Sequence, residues 1–381
     1  MDICVLNPYF HPYSGGTEKF LLEIYGRLAK RHNVCVVSAG LKQGEETHVD
    51  NVRGIRVVRL KTKYVRIPGL PLPFLAMEGV TEHIAEEGAD IYHINNRYQY
   101  FYNAVGAIKK TGGKLAVTIH NSLPKGIGPM TDAGGMVYDL ALGRRTIHSA
   151  DIITGVSKNA IETTVPWRDR RRSKVIYNGV DHKRLRRRGK NDRHVRNIAL
   201  RLGLDRPMVL ANGRLVQQKG LTHLIDGVAR MDSEVDLVII GRGPMERALY
   251  RRARGRGLRD RFRIVSGISE SDLPYYYNAA DAFALPSLYE PAGLALLEAL
   301  SSETPSIATR IGGIPEMMGP GGQYVEPKDI NGIGERIEFV LGNRKKTAGM
   351  AAIGRKRMVK DHDWNKIARR YEELFEGAAR R

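Results

Sequence analysis

Residues 281–316, DAFALPSLYEPAGLALLEALSSETPSIATRIGGIPE, contain the pattern that decides the fold. The apolar run 282–285 predicts a short buried strand that ends at Pro286, and the apolar periodicity of 293–301 predicts a helix. A second strand is predicted at 305–309, and a Gly-Gly turn follows it. Strands that alternate with helices form parallel sheets, so this stretch predicts an α/β fold.

Two glutamates in this stretch are candidate ligand-binding residues. Glu290 follows the first strand, and Glu298 lies among leucines in the predicted helix, where burying a carboxylate is costly unless it has a partner. Eight residues correspond to roughly 12 Å along a helix that rises about 1.5 Å per residue, which suits two contacts on one elongated ligand. The N–H groups near Gly293 and Leu294 favour a phosphate, because the positive end of the helix dipole lies there.

Loops with glycine or histidine follow two predicted strands of the N-terminal half. A strand at 3–6 leads through Gly15 and Gly16 into a helix, and a strand at 115–120 ends in His120. In doubly wound α/β folds the ligand crevice lies at the carboxyl ends of the strands. Glycines there let backbone amides approach a phosphate, but taken alone they can also permit a tight turn, and a lone histidine can be structural.

A glycine and two basic residues follow a predicted strand of the C-terminal half. The strand at 208–211 leads through Gly213, Arg214 and Lys219 into a helix with an apolar stripe. Arg offers phosphate a planar fork, and Lys offers a point charge. In a chain with 61 Lys and Arg residues, the same pair taken alone is more typical of surface charge.

In their order along the chain, these motifs resemble those of the retaining glycosyltransferases of family 4, the glycosyl transferases group 1. The matching segments are the Gly-Gly-Thr-Glu loop from Gly15, the strand end at His120, 175–181 (VIYNGVD), Gly-Arg-x5-Lys-Gly from Gly213, E-x7-E from Glu290 to Glu298, and Gly-Gly-x-Pro-Glu at 312–316. Asn121 stands where the family often has Asp. The resemblance covers nearly the whole chain.

The resemblance implies the GT-B architecture, an α/β fold of two Rossmann-like doubly wound domains facing a cleft. We expect an N-terminal acceptor-side domain at 1–183, a charged linker at 184–206 and a C-terminal nucleotide-sugar-binding domain at 207–363. The amphipathic helix at 364–381 would cross back and pack on the first domain.

The resemblance also implies a role for each motif. The implied catalytic residues are His120, Arg214, Lys219 and Glu290. The implied donor-binding residues are Gly15, Gly16, Gly213, Arg214, Lys219, Gly267, Ile268, Glu290, Gly293, Leu294 and Glu298. Arg214 and Lys219 would clamp the diphosphate, while Glu298 would hold the ribose hydroxyls. Glu290 and His120 would hold the sugar, and the turn at Gly267 and Ile268 would lie near the base.

The implied reaction moves a hexose from a UDP- or GDP-linked sugar to a hydroxyl of a saccharide or lipid-linked acceptor, with retention and without a metal. No Asp-x-Asp motif follows a predicted strand, and no acid/base carboxylate pair is identifiable. No cofactor is expected beyond the nucleotide-sugar donor. A GT-B sugar-nucleotide epimerase or hydrolase is the alternative, and product analysis separates it from a transferase.

The formal net charge of +20 is concentrated in two segments. Residues 168–193 carry twelve Lys and Arg against three acidic residues, and residues 242–263 carry nine Arg against two. Such patches can bind nucleic acid or an anionic membrane, or they can be solvated surface. A basic nucleic-acid-binding protein is the distant alternative, but no specific nucleic acid is expected because no binding-module signature accompanies the arginines.

Residues 56–78 mix basic and apolar side chains around three prolines, which exclude a regular helix. If the apolar side chains of this segment are exposed, they could contact a lipid surface. The alternative is that they pack onto the next helix. With no signal peptide and no apolar run near 18 residues, we expect a cytoplasmic protein, peripheral membrane attachment being a second expectation. Cys4 and Cys35 belong to no Cys/His motif and predict two buried, reduced thiols.

Overall fold

The computed structural model describes residues 1–13, 15–65, 74–96, 103–121 and 143–380. These residues form two compact units. The first unit contains the described residues up to Asn178 together with those from Trp364 onward, and the second unit is Gly179–Asp363. None of the described helices combines the length and the apolar composition needed to cross a bilayer.

The first unit is built on an eight-stranded sheet. The eight strands of the sheet are β1 (Asp2–Leu6), β2 (Asn33–Ala39), β3 (His48–Val52), β4 (Ile55–Leu60), β7 (Ile91–Asn95), β8 (Lys114–Ile119), β9 (Ile152–Gly155) and β10 (Ser173–Val175). The first unit has two further strands outside this sheet, β5 (Thr62–Val65) and β6 (Phe74–Met77). Its helices are α1 (Gly16–Leu28), α2 (Val80–Glu87), α3 (Ala104–Thr111), α4 (Arg144–Ser149), α5 (Lys158–Thr164) and α6 (Trp167–Arg170).

The sheet order in this unit is β10-β9-β8-β7-β1-β2-β4-β3. All neighbouring pairs are parallel except β3 with β4, and β5 with β6 forms a separate antiparallel hairpin. The central strands are apolar and almost fully buried, as in β1 and β2, because helices cover both faces of parallel sheets. The chain leaves β1 in one direction towards β2 and returns on the other side at β7, so a topological switch point lies between β1 and β7.

The second unit has a six-stranded, all-parallel sheet in the order β13-β12-β11-β14-β15-β16. These strands are β11 (Met208–Asn212), β12 (Asp236–Ile240), β13 (Phe262–Val265), β14 (Ala282–Leu285), β15 (Ser306–Thr309) and β16 (Gln323–Val325). The helices are α7 (Arg193–Leu202), α8 (Leu221–Val228), α9 (Glu246–Gly255), α10 (Leu273–Ala279), α11 (Leu294–Ser301), α12 (Ile314–Met318), α13 (Ile330–Gly342) and α14 (Arg344–Asp361). This strand order is that of a Rossmann fold, and its switch point lies between β11 and β14.

The chain ends in α15 (Trp364–Ala379), which packs against α1 in the first unit. Its Glu372 carboxylate accepts a hydrogen bond from Arg31 Nη2 at 2.6 Å, and its other oxygen lies 2.7 Å from His32 Nε2. The Tyr371 and Phe20 rings meet edge to face, with their centroids 5.5 Å apart. The last helix is therefore held to the first unit by an ion pair and by aromatic packing.

Two sequence predictions about segments need comment. The stretch 184–206, predicted from its charge to be the linker, lies inside the second unit and contains α7. This helix is capped by Asp192 and buries Val195 and Ile198, so its basic residues are the outer face of an amphipathic helix. Within 56–78, residues 66–73 lie outside the described part of the chain, and the flanking segments form the β5–β6 hairpin.

Candidate functional site

The candidate site of the second unit lies at its switch point, where the loops that follow β11 and β14 diverge. The first loop carries Arg214 and Lys219, and the second carries Glu290. In open α/β sheets, ligands bind at the carboxyl ends of the strands at this point. The fold therefore brings the E-x7-E motif next to the Gly-Arg-x5-Lys-Gly motif, although the two are about 70 residues apart in the sequence.

Lys219 and Glu290 form an ion pair between these two loops. The same carboxylate accepts a hydrogen bond from Ser287 Oγ at 3.1 Å and another from the Gly293 N–H at 3.2 Å. Both charged side chains are largely buried, with 17% of Lys219 and 10% of Glu290 exposed. A buried carboxylate with three donors is a fixed group, so Glu290 holds the ammonium group of Lys219 in one place.

The Gly-Gly-x-Pro-Glu loop is anchored on the same glutamate. The Gly313 N–H donates to the backbone carbonyl of Glu290 at 3.1 Å, immediately before α12 begins at Ile314. The loops after β14 and β15 are thus joined by a backbone hydrogen bond. The two motifs that the sequence analysis treated separately meet at Glu290.

Glu298 lies in α11 and is 6% exposed. The hydroxyl of Tyr277, on α10, donates to Glu298 Oε2 at 2.8 Å, and the Asn212 amide donates to the same hydroxyl at 2.8 Å. Burial, and next the Glu298 charge, raise the pKa of Tyr277 well above its usual value, so the phenol stays protonated and remains a donor. This chain of donors supplies the partner that a buried carboxylate requires.

Positive charge and free amides complete this edge of the sheet. The Arg214 guanidinium is exposed and has no hydrogen-bond or ion-pair partner among the described residues. At the start of α11, the Gly293 N–H is taken by Glu290, whereas Leu296 and Leu297 donate to the Gly293 carbonyl. The amides of Leu294 and Ala295 have no partner within the described residues. The helix N-terminus can therefore offer an anion the amides of Leu294 and Ala295. The Gly293 amide, which was also predicted to bind it, is already bonded to Glu290.

Two glycines allow the loops of this site to approach each other closely. A Cβ on Gly220, which has φ +63°, would lie 2.0 Å from the Pro286 carbonyl oxygen, and one on Gly241 would lie 1.9 Å from the Gly213 carbonyl oxygen. No side chain fits at such distances. The loops after β12, β11 and β14 are therefore packed backbone to backbone, which fixes the position of Lys219.

Gly267 and Ile268 follow β13, the edge strand two positions from β11. Gly267 is exposed with φ +73°, and Arg242 Nη2 lies 3.1 Å from the position that its Cβ would take. The structure places this turn at the same carboxyl edge as Lys219, although it contacts neither Lys219 nor Glu290 among the described hydrogen bonds.

In the first unit, the structure groups Gly15, Gly16 and His120 at the carboxyl edge of the sheet. Gly15 is the N-cap residue of α1, which begins at Gly16, and Phe20 of this helix contacts the His120 ring with centroids 4.6 Å apart. His120 follows β8, its backbone N–H donates to the Asn96 side chain at 2.8 Å, and its Nε2 lies 3.1 Å from Asn95 Oδ1.

A buried polar network surrounds this histidine. His93 is hydrogen-bonded to Tyr25 through Nδ1 and to Thr118 through Nε2 at 2.7 Å. Burial lowers the pKa of both His93 and His120 to about 3, and for His93 the nearby His120 contributes as well. Both imidazoles are therefore neutral at physiological pH, so His120 can exchange hydrogen bonds with a ligand but brings no positive charge.

Three side chains of the site belong to none of the sequence motifs: Asn212, Tyr277 and Ser287. The apolar surroundings of Glu298 indicated that a partner was needed, but nothing in the pattern identified Tyr277, which is 21 residues earlier on another helix. Ser287 was detectable in principle, because it stands three residues before Glu290, where short polar side chains commonly bond to loop groups.

Comparison with known proteins identifies the family of this chain. Residues 197–357 match the family model Glycosyl transferases group 1, and residues 14–184 match the model Glycosyltransferase Family 4. The chain therefore belongs to the family 4 glycosyltransferases. It is an enzyme, a transferase that uses nucleotide sugars, and the family predicted from the motifs is confirmed.

Two relatives illustrate the range of the family. Glycogen synthase 2 of Geobacter metallireducens is 30% identical over 325 residues, which cover 80% of this chain and 64% of that protein. The GDP-mannose-dependent alpha-(1-6)-phosphatidylinositol monomannoside mannosyltransferase of Mycolicibacterium smegmatis is 27% identical over 387 residues, which cover 97% of this chain and 96% of that protein.

Among solved structures, Anabaena HepE in complex with UDP-glucose is similar, with a TM-score of 0.79 and 19% sequence identity. The match covers 99% of this chain and all of the HepE chain. A sucrose-phosphate synthase from Thermosynechococcus elongatus matches with a TM-score of 0.75 over 99% of this chain. The predicted GT-B fold, with two Rossmann-like units, is confirmed.

Proposed function

We propose that this enzyme transfers a hexose from a UDP- or GDP-linked donor to a hydroxyl acceptor, with retention of the anomeric configuration and without a metal ion. The observation that carries this proposal is the buried ion pair between Lys219 and Glu290 at the switch point of a Rossmann sheet. A lysine fixed there presents its remaining N–H donors to a ligand at the strand ends.

The positive groups of this edge support a role in stabilising the leaving nucleoside diphosphate. Lys219 and Arg214 supply charge, and the Leu294 and Ala295 amides supply hydrogen-bond donors at the positive end of a helix dipole. The diphosphate gains negative charge as the bond to the sugar breaks, and fixed donors stabilise that charge without reorganising. In this proposal they take the place of a metal ion.

Glu298 and His120 would bind the uncharged parts of the donor. The Glu298 carboxylate, oriented by Tyr277, is suited to accept hydrogen bonds from two ribose hydroxyls. Neutral His120 is suited to bind a hydroxyl of the transferred sugar rather than to act as a cation. Because no acid/base carboxylate pair is identifiable in the sequence, the donor phosphate accepts the proton of the acceptor hydroxyl in this proposal.

The relatives suggest which donor and acceptor to test first. The mannosyltransferase named above is GDP-mannose-dependent, acts on a phosphatidylinositol monomannoside and matches this chain over almost its whole length. HepE, which has the same fold, was solved with UDP-glucose. GDP-mannose with a lipid-linked acceptor and UDP-glucose with a saccharide acceptor are therefore the first two pairs.

A thermal-shift panel with GDP-mannose, UDP-glucose, UDP-N-acetylglucosamine, ADP-glucose and the free nucleotides tests the site. A ligand at 100 times its Kd adds about 2.7 kcal/mol to the free energy of unfolding. One donor should raise Tm, the shift should disappear in Glu298→Ala, and it should persist in Glu335→Ala, which removes an exposed glutamate of α13. A donor shift that survives in Glu298→Ala would contradict the assignment of the site.

Product analysis with the donor so identified tests the reaction. Transfer should yield a glycosylated acceptor whose new linkage keeps the anomeric configuration of the donor, and added chelator should not slow it. An inverted linkage would refute retention, and loss of activity on chelation in protein that stays folded by circular dichroism would refute metal independence of the transfer. Free sugar or an epimerised donor, formed equally with and without an acceptor, would instead favour a hydrolase or epimerase.

A further inference from the structure

The amino edge of the first sheet, opposite to the edge with Gly15 and His120, carries a cluster that the glycosyl transfer does not use. Cys35 of β2, together with His83 and Glu87 of α2, places one sulfur, one nitrogen and one oxygen atom within 4.8 Å of one another. We propose that this cluster binds a zinc ion, which links α2 to the sheet. Thiolate, imidazole and carboxylate are the ligands that zinc takes in proteins.

The spacing of the ligands supports tetrahedral coordination. His83 and Glu87 are four residues apart on α2, so they lie on one face of the helix. His83 Nε2 and Glu87 Oε1 are 3.2 Å apart. Nitrogen and oxygen ligands at usual zinc distances are roughly 3.4 Å apart in a tetrahedral site, so this half of the site is at the required separation. The Cys35 sulfur, within 4.8 Å of both atoms, supplies the third ligand.

The surroundings of His83 point to a ligand for its ring. Its Nε2 atom is buried and forms no well-aligned hydrogen bond among the described residues, although Glu87 Oε1 lies 3.2 Å away, so this ring atom faces the carboxylate without being satisfied by it. Its other ring nitrogen, Nδ1, lies 3.5 Å from a carboxylate oxygen of Glu86. Histidines that bind metals usually direct the second ring nitrogen towards a carboxylate. His83 therefore has the arrangement of a metal ligand with its outer partner.

Arg56 also contacts this cluster, because its Nη2 atom bonds both carboxylate oxygens of Glu87. A carboxylate has about four lone pairs, so it can bind a guanidinium and a metal at the same time. With zinc bound, the charges of Cys35, Glu87 and Glu86 would balance those of the metal and Arg56. The arginine would thus orient Glu87 without leaving the site strongly positive.

A cavity of about 440 Å³ adjoins the cluster and is lined by Cys35 and Glu87, with Arg56 and Asn33 among its other residues. It gives an entry path for the ion and room for water as the fourth ligand. Cys35 and His83 are 48 residues apart, so zinc would cross-link distant parts of the first unit. The expected consequence is added stability of this unit, with no part in sugar transfer.

Metal binding to the purified full-length protein tests this inference. After chelation and dialysis, the protein should take up one Zn²⁺ per chain with an increase in Tm, and one Co²⁺ should give a thiolate-to-cobalt charge-transfer band. Cys35→Ser should abolish the band, and His83→Gln should weaken Zn²⁺ binding at least tenfold. No stoichiometric uptake by the wild-type protein would overturn the proposal.

Cys4 provides the matched control. It is a second buried, free thiol that contacts the Cys35 thiol from the neighbouring strand but lies outside the ligand cluster, and serine at this position keeps a hydrogen-bonding group next to Cys35. Cys4→Ser should therefore keep the cobalt band and the Zn²⁺ stoichiometry. Equal loss of the band in Cys4→Ser and Cys35→Ser, with both variants folded by circular dichroism, would refute this ligand set. An unchanged band in folded Cys35→Ser would refute it as well.

Discussion

The carboxyl edges of the two sheets each carry a topological switch point, but the side chains grouped there differ in electrostatic character. In the second unit the edge carries Arg214, the ion pair of Lys219 with Glu290, and Glu298. In the first unit the corresponding edge carries His120 and the side chains of Asn95 and Asn96, and the pKa of His120 is lowered to about 3. The residues named at the second switch point are thus charged, whereas His120 and its two asparagine partners at the first are polar but neutral.

Under the proposed function, this difference corresponds to the two chemistries of a nucleotide-sugar donor, a charged diphosphate and uncharged hydroxyls. A diphosphate needs positive charge and free amides, which the second unit supplies. Sugar hydroxyls need donors and acceptors of defined geometry, and a neutral imidazole with amide side chains can supply these without attracting the phosphates. The same fold can thus bind different parts of one substrate through the residues of its loops.

The largest effect is expected from Lys219→Ala, which removes the central positive charge of the second unit. Loss of one fixed donor to a developing anion typically lowers turnover by about 10²–10³-fold, and the change also leaves the buried Glu290 with one partner fewer. Steady-state kinetics should show a fall in kcat of more than tenfold. Lys345→Ala, which removes an exposed lysine of α14, should leave kcat unchanged.

Gly220→Ala should have the next largest effect, because it forces apart the loops that carry Lys219 and Glu290. Its Cβ would lie 2.0 Å from the Pro286 carbonyl oxygen at φ +63°. Steric overlap and a left-handed backbone together should cost about 3 kcal/mol of stability. Gly203→Ala is the matched control, since φ is +60° there with nothing within 4 Å of the Cβ, and it should cost only about 1 kcal/mol.

Denaturant unfolding of both glycine variants measures this difference. If Gly220→Ala is no less stable than Gly203→Ala, close backbone packing does not hold the charged site in place. The rise in Tm on donor binding should be smaller in Gly220→Ala and unchanged in Gly203→Ala. Only Gly220 lies where the two loops of the site touch.

The contrast between the two edges was only partly predictable from the sequence. Periodic apolar runs gave β14, α11 and β15 nearly to the residue, because buried strands and helices have regular patterns. The motifs gave Lys219, Glu290 and Glu298 as candidates. Their contacts could not be predicted, since the partners Lys219 and Glu290 are 71 residues apart and meet only through the strand order.

Charge was the least reliable guide to organisation. The basic composition of 184–206 suggested a linker, whereas the amphipathic pattern around Val195 and Ile198 forms α7. Likewise, the two cysteines gave no motif, although Cys35 lies beside His83 in space. Composition records which residues are present, while the register of strands and the faces of helices decide which of them meet.

Tyr277→Phe tests how the charged edge is built, because it removes only the hydroxyl that donates to Glu298. The lost hydrogen bond to a charged carboxylate is worth about 1.5–3 kcal/mol, so donor affinity should fall at least tenfold. If Glu298 binds ribose, the loss should be much smaller for a nucleotide that lacks the 2′- and 3′-hydroxyls. Tyr276→Phe, at the neighbouring buried residue, should retain wild-type affinity. Equal losses for both nucleotides would refute an orienting role of Tyr277.

The smallest effect concerns the neutral edge and appears in the pH dependence of stability. The pKa of His93 and His120 is about 3 in the folded protein and about 6.5 in the unfolded chain. Between these values the unfolded state binds more protons, so stability is full above pH 6.5 and falls as the pH decreases. Each histidine should contribute about 1.4 kcal/mol per pH unit in this range.

Urea unfolding of His93→Asn between pH 6.5 and 5.5 isolates one of these contributions. The variant should lose about 1 kcal/mol less stability than the wild-type protein over this pH unit, because the unfolded histidine is only half protonated at pH 6.5. His48→Asn, at a histidine on β3 with 36% of its side chain exposed, should keep the wild-type slope. An unchanged slope in His93→Asn would mean that the imidazole can be protonated in the folded state. The first unit would then also carry charge next to its switch point, and the electrostatic contrast between the two edges would be lost.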